Sequence, residues 1–433
     1  MARPIPIRTT LNDLIAHEAI PFSVDTPDIF NKAVDKLIAT LGSSVELLGL
    51  GEALHGGEDI LTLRNRLFQY LVKTHGYTAI AIESSFPRSR LVNEYVNGRG
   101  PASYVSLQNT GFGNRFGQLD ANRELVEWMR QYNADPSHNV KINFYGFDMP
   151  TGTTSSISPR LTLYYTLDYL TSIDAAAALE HRDRINSFIG PDSHWENPMD
   201  WRDSLKSPEL LGMASGLRIE IEELISDLHV RRPEMVAKSD ESRYQEAMQH
   251  AVIARQLMNF YIALARGANY AASLGVRDAL MADNLAYIVS QERDRGRVLA
   301  FAHNKHLQYG QAQWQMGSDL NVWWPAGSHL LDMFGSRYAV IGSAIGVSED
   351  NGIGQPEAGS LEAHLTAVPG PVRFIPTHRG HGLSPAEIST VPARSSSMKN
   401  PTYFPLTPDS FTDFDYLAVL DSTTYNRGGP PLR

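Results

Sequence analysis

Glu52 and His55 lie three residues apart in VELLGLGEALHGGE, residues 45–58, where an apolar run gives way to glycines. The apolar run indicates a β-strand, and a helical pattern begins near Glu58. Ligands of α/β sheets bind at the carboxyl ends of the strands, so this position predicts a functional site. There, a carboxylate could orient an imidazole that acts as a general base. The alternative is a tight strand-to-helix turn with a solvated Glu and His.

His303 and His306 form a second pair in the segment AHNKH, which directly follows another apolar run. On a turn or a first helical turn, a spacing of three lets both rings face one cavity. With Glu52, His55 or Glu83 they could bind zinc or a related divalent ion, which accepts mixed histidine and carboxylate ligands. Equally, one imidazole could be a general base while another donates to an oxyanion. The spacing leaves both possibilities open, and the pair could also simply cap a helix.

The elements that must position these residues are parallel strands joined by helices. Apolar runs predict strands at residues 45–50, 78–82, 140–147, 297–301, 338–341 and 416–420. Helical spacing of apolar residues fills the interval between the first two strands, which indicates a right-handed βαβ unit. We therefore predict an α/β fold with a mostly parallel central sheet and flanking helices. Glu83, Asp148 and Asp421 end three of these strands; Asp421 is interpreted as a turn or capping residue.

Helical patterns replace strands through most of residues 155–295. We predict one domain spanning residues 1–433, with a helical insertion at 155–267 that covers the carboxyl ends of the strands as a lid. An ordinary helical layer on the sheet is the alternative. Trp195 and Trp201 of this insertion could form apolar walls around a bulky substrate, or could fill the core between helices. Residues 348–397 are rich in Gly, Pro and Ser, which is typical of long surface loops with one or two regular elements.

Composition excludes several classes of function. The 433-residue chain has a net charge of -10, which argues against a nucleic-acid partner. Because cysteine is absent, disulfides and thiolate chemistry are excluded, and a cytoplasmic location fits best. The N-terminus resembles neither a signal peptide nor a membrane anchor, and no apolar run reaches the roughly 18 residues that a membrane span needs. Since the G-x-S-x-G motif and phosphate-binding loops are missing, water is the expected nucleophile, and a small molecule is the expected partner. Oligomeric state is not indicated.

Six dispersed blocks resemble the erythromycin esterase family. In chain order they are GEALHGGE (51–58), Arg64, IAIE (80–83), FYGFDM (144–149), RDALMADN (277–284) and FAHNKH (301–306). The resemblance covers roughly residues 45–421. It implies an α/β core with a helical lid, and a hydrolase that opens macrocyclic lactones or related esters with an activated water.

The resemblance also implies roles for individual residues. His55 matches the family's general base, and Glu52 matches the acidic residue of the same motif. The other matched positions in the expected catalytic set are Arg64, Glu83, His303 and His306. Arg277 and Asp148 are expected to bind substrate. No cofactor is implied; a divalent metal at the His/Glu cluster remains the alternative, as does a non-catalytic binding protein. Leu54 stands where family members commonly have a hydroxyl residue.

Overall fold

A computed structural model describes residues 11–149, 158–203, 205–377 and 389–431. Its centre is an eight-stranded sheet in the order β1-β9-β10-β8-β2-β5-β3-β4, and a separate hairpin pairs β6 with β7. The β9 strand is antiparallel to both of its neighbours, and the other pairs in the large sheet are parallel. The strands are β1 Ile20–Phe22, β2 Leu47–Glu52, β3 Tyr77–Ser85, β4 Asn143–Asp148, β5 Arg297–His303, β6 Ala312–Met316, β7 Asp319–Trp323, β8 Tyr338–Val347, β9 Val372–Pro376 and β10 Tyr416–Ser422. This architecture confirms the predicted α/β fold with a mostly parallel sheet.

Helices cover both faces of the sheet. They are α1 Leu11–Glu18, α2 Pro27–Leu41, α3 Glu58–Thr74, α4 Phe86–Val96, α5 Asp120–Ala134, α6 Arg160–Ile173, α7 Ala175–Ile189, α8 Ser193–Glu196, α9 Ser207–Val230, α10 Arg232–Lys238, α11 Glu241–Ala265, α12 Tyr270–Glu292, α13 Asn304–Leu307, α14 Ala326–Phe334 and α15 Leu361–Thr366, with a single turn at Ser410–Asp413. Leu47 of β2 packs into one hydrophobic cluster, and Leu48 and Leu50 pack into the other, on the opposite face. Burial on both faces explains why the central strands are continuous apolar runs.

The six predicted strands correspond to β2, β3, β4, β5, β8 and β10. The structure adds β1 and β9, which are short strands at one edge, and the β6–β7 hairpin, none of which the sequence pattern indicated. It also places β5 between β2 and β3, so the two strands of the predicted βαβ unit are parallel but not adjacent. Residues 348–397, predicted to be long surface loops with one or two regular elements, contain α15 and β9. Residues 378–388 of this region lie outside the described residues.

The helices α6 to α11 occupy the predicted insertion, and α12 returns the chain to the sheet. Residues 155–157 and 204 of the insertion lie outside the described residues. The insertion's role as a lid, and the single-domain boundaries, stay predictions. No helix in the described ranges is long and apolar enough to cross a membrane.

The two tryptophans of the insertion are not pocket walls, and that prediction is corrected here. Trp195 and Trp201 are both fully buried, with ring centroids 5.1 Å apart, and both pack against Tyr261. Their indole N–H groups donate to the backbone oxygens of Ile189 and His194. Because their rings and their donors are all used within the helical bundle, the tryptophans fill its core.

Candidate active site

The turn after β2 is shaped by two glycines. A Cβ at Gly51 would lie 2.2 Å from Oδ1 of Asn304, so only glycine lets β2 pass this close to α13. Gly56 has φ 108°, in the left-handed region that favours glycine. Between them, the backbone N–H of His55 donates to Oγ1 of Thr402 at 2.9 Å. The sharp turn therefore carries His55 out of the sheet and fixes it against a loop near the end of the chain.

His55 and Glu52 form a short contact at the pocket. Nδ1 of His55 lies 2.6 Å from Oε1 of Glu52, and Nε2 lies 3.8 Å from Oε1 of Glu83. The His55 side chain is 29% exposed, whereas both carboxylates are buried. With the Nδ1 proton donated to Glu52, the unprotonated Nε2 faces the pocket. This is the arrangement that a histidine general base requires.

Glu83 is held by two cationic side chains. Nη2 of Arg277 donates to Oε1 of Glu83 at 2.9 Å, and the same guanidinium makes a two-point contact with Asp148 at 2.6 and 2.9 Å. Burial acts to raise the pKa of Glu83, but His306, His55 and Arg277 together hold it well below its usual range. Glu83 is therefore ionised at neutral pH. Arg277 and Asp148, predicted to bind substrate, form an ion pair beside it, in which Asp148 is buried and the Arg277 side chain is 18% exposed.

His306 joins Glu83 to a carboxylate that the sequence did not single out. Its Nδ1 lies 2.5 Å from Oδ1 of Asp278, and its Nε2 lies 3.4 Å from Oε1 of Glu83. The indole N–H of Trp323, in β7, donates to the other Asp278 oxygen. Burial opposes the charging of His306, but Asp278 and Glu83 raise its pKa to about 10. A charged chain of alternating sign thus runs from Asp278 through His306 to Glu83.

His303 has a different environment although it lies only three residues before His306. Its Nδ1 accepts the backbone N–H of Lys305 at 3.1 Å, which leaves Nε2 as the donor to the backbone oxygen of Thr402 at 2.9 Å. Burial and the neighbouring His55 keep its pKa well below the usual range. His303 is therefore neutral, with both ring nitrogens engaged. Its ring packs edge-on against His55 at 5.3 Å between centroids, so it contacts both His55 and the loop that carries Thr402. A role for His303 in polarising a carbonyl stays a prediction.

The pocket in front of His55 comprises about 330 Å³ of space between atoms, part of which is open to solvent. Four titratable side chains line it: Glu52, His55, Arg64 and Glu83. The remaining side chains of its wall are Leu61, Ile82, Phe116, Leu119, Phe301, Asn122 and Asn426. His303, His306, Arg277 and Asp148 are not part of this wall. The structure therefore brings the predicted site residues together in two layers, one facing the pocket and one supporting it.

Phe116 enters the pocket from a strained stretch of backbone. Asn114 and Arg115 have φ values of 51° and 60°, which non-glycine residues rarely adopt, least of all in succession. The following residue, Phe116, packs edge-on against His55 with centroids 5.6 Å apart. Such strain is characteristic of functional sites, and here it directs an aromatic ring onto the imidazole.

Arg64 provides the positive charge of the pocket. Its side chain is 1% exposed, and its guanidinium carbon lies 4.8 Å from the centre of the Phe301 ring. Nε and Nη2 both donate to Oδ1 of Asn65, at 3.0 and 2.7 Å. Burial lowers the pKa of Arg64 to about 10, so it remains charged at neutral pH beside the carboxylates of the pocket.

The His55–Glu52 pair shares one proton in a buried setting. Burial raises the pKa of Glu52 despite the opposing effect of His55. For His55, burial favours the neutral ring, but the Glu83 and Glu52 carboxylates outweigh it and raise its pKa. The imidazole is thus a stronger base than a free histidine. In the described part of the chain, no three His, Asp or Glu side chains converge as a metal-binding group.

Sequence reasoning missed several residues of the site. Asp278 directly follows Arg277, and a search for carboxylates within the matched blocks could have found it. Phe116, Thr402 and Asn426 lie on segments without a regular pattern, and no signal in the sequence marks them. Their roles come from contacts between segments far apart in the chain.

Together, the fold and this site define an α/β protein whose histidine–carboxylate centre lies at the carboxyl ends of parallel strands. The chain belongs to the erythromycin esterase family, whose model, described as Erythromycin esterase, matches residues 72–423. Family membership supports, at this coarse level, a hydrolase that acts on esters. The match begins after the turn that contains Glu52 and His55, so the roles of those two residues depend on the geometry described above.

Similar proteins agree with this assignment. Erythromycin esterase type II of Escherichia coli is 22% identical over 294 residues, which are 67% of this chain and 67% of that protein. A crystal structure of a Bacillus cereus protein matches with a TM-score of 0.75 and 19% identity, covering 97% of this chain and 98% of that one. A mutant of the erythromycin esterase EreC, in an open conformation, matches with a TM-score of 0.69 and 17% identity, covering 94% and 98%. At these identities, the solved structures establish the fold.

Proposed function

We propose that the protein hydrolyses a carboxylic ester or lactone, with His55 as the general base that activates water. The observation that carries this proposal is the 2.6 Å contact between Nδ1 of His55 and Glu52, which leaves Nε2 facing a pocket that also contains Arg64. A general base must have its free nitrogen directed at the substrate site, and a carboxylate on the other nitrogen fixes that tautomer.

In the proposed reaction, Nε2 of His55 removes a proton from water as the water oxygen attacks the carbonyl carbon. Glu52 and Glu83 stabilise the imidazolium that forms, because both carboxylates are within 4 Å of its ring nitrogens. Arg64 stabilises the negative charge that develops on the carbonyl oxygen. His55 then returns the proton to the leaving alkoxide, the carbon–oxygen bond breaks, and a carboxylic acid and an alcohol are released.

The test is a screen of esters and lactones with wild type, His55→Ala and His250→Leu. His250 is a buried histidine of α11 that is not part of the pocket, so it is the matched control. We expect His55→Ala to lower turnover by roughly two to four orders of magnitude, the usual contribution of a positioned general base. His250→Leu should retain wild-type turnover. Activity of His55→Ala within a few-fold of wild type would refute the assignment.

The same screen is repeated after exhaustive dialysis against a chelator. We expect turnover to persist, because His55 and Glu52 already form a complete base and the proposed steps use no metal. If activity were lost and one divalent ion restored it, Glu52, His55 and Glu83 would have to be reassigned as metal ligands. If a biological effect of the protein survived His55→Ala, the chain would instead be a binding protein.

A further inference from the structure

Two asparagine side chains in the pocket wall have buried oxygens without a hydrogen-bond partner among the described residues. These oxygens are Oδ1 of Asn122 and Oδ1 of Asn426. An unpaired buried acceptor is costly, by about 1 to 3 kcal/mol, so proteins seldom retain one without a ligand or solvent to satisfy it. Both acceptors belong to the same pocket as His55.

The identity of the Asn122 acceptor is fixed by its own amide. Nδ2 of Asn122 donates to the backbone oxygen of Phe116 at 2.8 Å. Because a carbonyl oxygen can only accept, the amide nitrogen must be the atom at that position and the amide oxygen must be the other. Oδ1 of Asn122 is therefore the acceptor that lacks a partner, and Nδ2 of the same side chain holds the segment that carries Phe116.

Asn426 is presented by a segment that is fastened on both sides. Its neighbour Tyr425 forms a β-bridge with Gly57. On the other side, the backbone N–H and Nε of Arg427 both donate to Glu58, at 2.9 and 2.7 Å. The backbone at Asn426 is thereby held across the start of α3, next to the turn that contains His55. Because this backbone is already ordered, a hydrogen bond to the Asn426 side chain requires no ordering of the segment on binding.

We propose that these two amide oxygens select substrates whose alcohol or acyl part carries hydrogen-bond donors, such as a polyhydroxylated ester. Apolar side chains such as Phe116 and Leu119 contact its carbon skeleton, while Asn122 and Asn426 accept from its hydroxyl groups. A site that hydrogen-bonds a hydroxyl discriminates strongly against an analogue that lacks it. This inference rests on the proposed hydrolase function and specifies its substrate.

The test uses three esters of phenylacetic acid that differ only in the alcohol: 2,3-dihydroxypropyl, propyl and 2,3-dimethoxypropyl. The dimethoxy ester keeps the oxygens but has no donor. For the wild type, we expect kcat/KM for the dihydroxy ester to exceed that for the other two by at least about tenfold. Comparable values for all three would overturn the inference, because solvent would then satisfy both amides. Equal values for the dihydroxy and dimethoxy esters would do the same.

Variants at Asn426 locate the effect. Asn426→Leu should reduce the ratio of kcat/KM between the dihydroxy and propyl esters to near one, whereas Asn426→Asp, which keeps an acceptor, should preserve the preference. Asn109→Leu is the control, since Asn109 is exposed and is not in the pocket wall. The readout is a ratio within each variant, so a general loss of activity cancels. An unchanged ratio in Asn426→Leu would contradict the inference.

A binding measurement separates this inference from the proposed function. The probes are 3-phenoxypropane-1,2-diol and propoxybenzene, which are ethers and cannot be hydrolysed, and the measurement is ligand-observed NMR on wild type and Asn426→Leu. We expect the wild type alone to prefer the diol. That preference without hydrolysis of any ester would support donor recognition and refute the hydrolase. Hydrolysis without any preference for the diol would refute donor recognition alone.

Discussion

The rim of the sheet and the helical insertion each bury a histidine, but the pKa of the first is raised and the pKa of the second is lowered. His306 at the rim lies between Asp278 and Glu83, at 2.5 and 3.4 Å, and its pKa is raised to about 10. His250 in the insertion stacks on Tyr165, with ring centroids 4.1 Å apart, and neither of its ring nitrogens has a hydrogen-bond partner among the described residues. Burial lowers its pKa to about 3.

Burial disfavours the charged ring in both places, so the presence or absence of carboxylates decides whether the pKa of the histidine is raised or lowered. Carboxylates gather at the rim because the carboxyl ends of β2, β3 and β4 meet there. In the insertion, the neighbours of His250 are aromatic rings, including Phe86 at 5.6 Å. Whether a buried histidine of this protein is charged therefore depends on the counter-charge that the fold places beside it.

Among changes to the carboxylates of the rim, we expect Glu52→Gln to have the largest effect on activity. Because the neutral form of His55 is the base, kcat/KM should rise with pH through a pKa above the ordinary histidine value. Glu52→Gln removes one of the carboxylates that raise this pKa, so the acid limb of the pH profile should shift to lower pH. The plateau should fall roughly a hundredfold, because the tautomer and the imidazolium lose their stabilisation.

Glu46→Gln is the control for this change. Glu46 immediately precedes β2 at the opposite end of the strand and pairs with Arg337. Its pH profile and plateau should match those of the wild type. A Glu52→Gln enzyme with a reduced plateau but an unshifted acid limb would show that Glu52 does not set the pKa of His55.

Asp278→Asn tests the supporting layer through stability. The folded-state pKa of His306, about 10, lies above the unfolded value near 6.5, so its stabilisation is fully present below pH 6.5 and is lost as pH rises towards 10. The variant should lower the free energy of unfolding by on the order of 2 kcal/mol at pH 6, and the difference should shrink towards pH 10. Denaturant unfolding across this range measures it, with Asp283→Asn on the same helix as control. A deficit that is constant with pH would indicate a purely structural role.

His250→Leu should have the smallest effect and the opposite pH dependence. Its folded-state pKa, about 3, lies below the unfolded value, so the unfolded chain binds more protons as pH falls from about 6.5 to 3 and the wild type loses stability there. The variant should not show the part of the loss of stability in acid that comes from His250. At pH 7 its free energy of unfolding should differ from that of the wild type by less than about 1 kcal/mol. Denaturant unfolding at pH 4 and pH 7 provides the measurement. Identical acid sensitivity in the two proteins would mean that His250 is already protonated when folded.

The sequence was sufficient for the parts of the molecule that depend on local pattern. Apolar runs ended by Glu52, Glu83 and Asp148 predicted strands whose ends meet, and the structure places these carboxylates within one network. The positions of His55 and His303 after two predicted strands also indicated one shared site, and β2 and β5 are indeed adjacent, with Glu52 in register with His303.

Properties that depend on tertiary contacts could not be predicted. His303 and His306 are equivalent by spacing, yet burial and the neighbouring His55 keep the first neutral, whereas Asp278 and Glu83 make the second cationic. The bulk of Trp195 suggested either a pocket wall or core packing, and only the bundle around it decided for packing. The order of the strands could not be predicted either, because no local signal indicates that a distant segment will occupy the middle of the sheet.

The position of β5 between β2 and β3 has a consequence for folding during synthesis. When Tyr77–Ser85 leaves the ribosome, its partner strand Arg297–His303 is still more than 200 residues from being made. The edges of β2 and β3 that face each other therefore stay unpaired until about two thirds of the chain exists, and exposed apolar strand edges promote aggregation. Closing such long loops also slows folding. We therefore expect nascent chains that end before β5 to depend on chaperones, whereas chains that extend past it can complete the sheet.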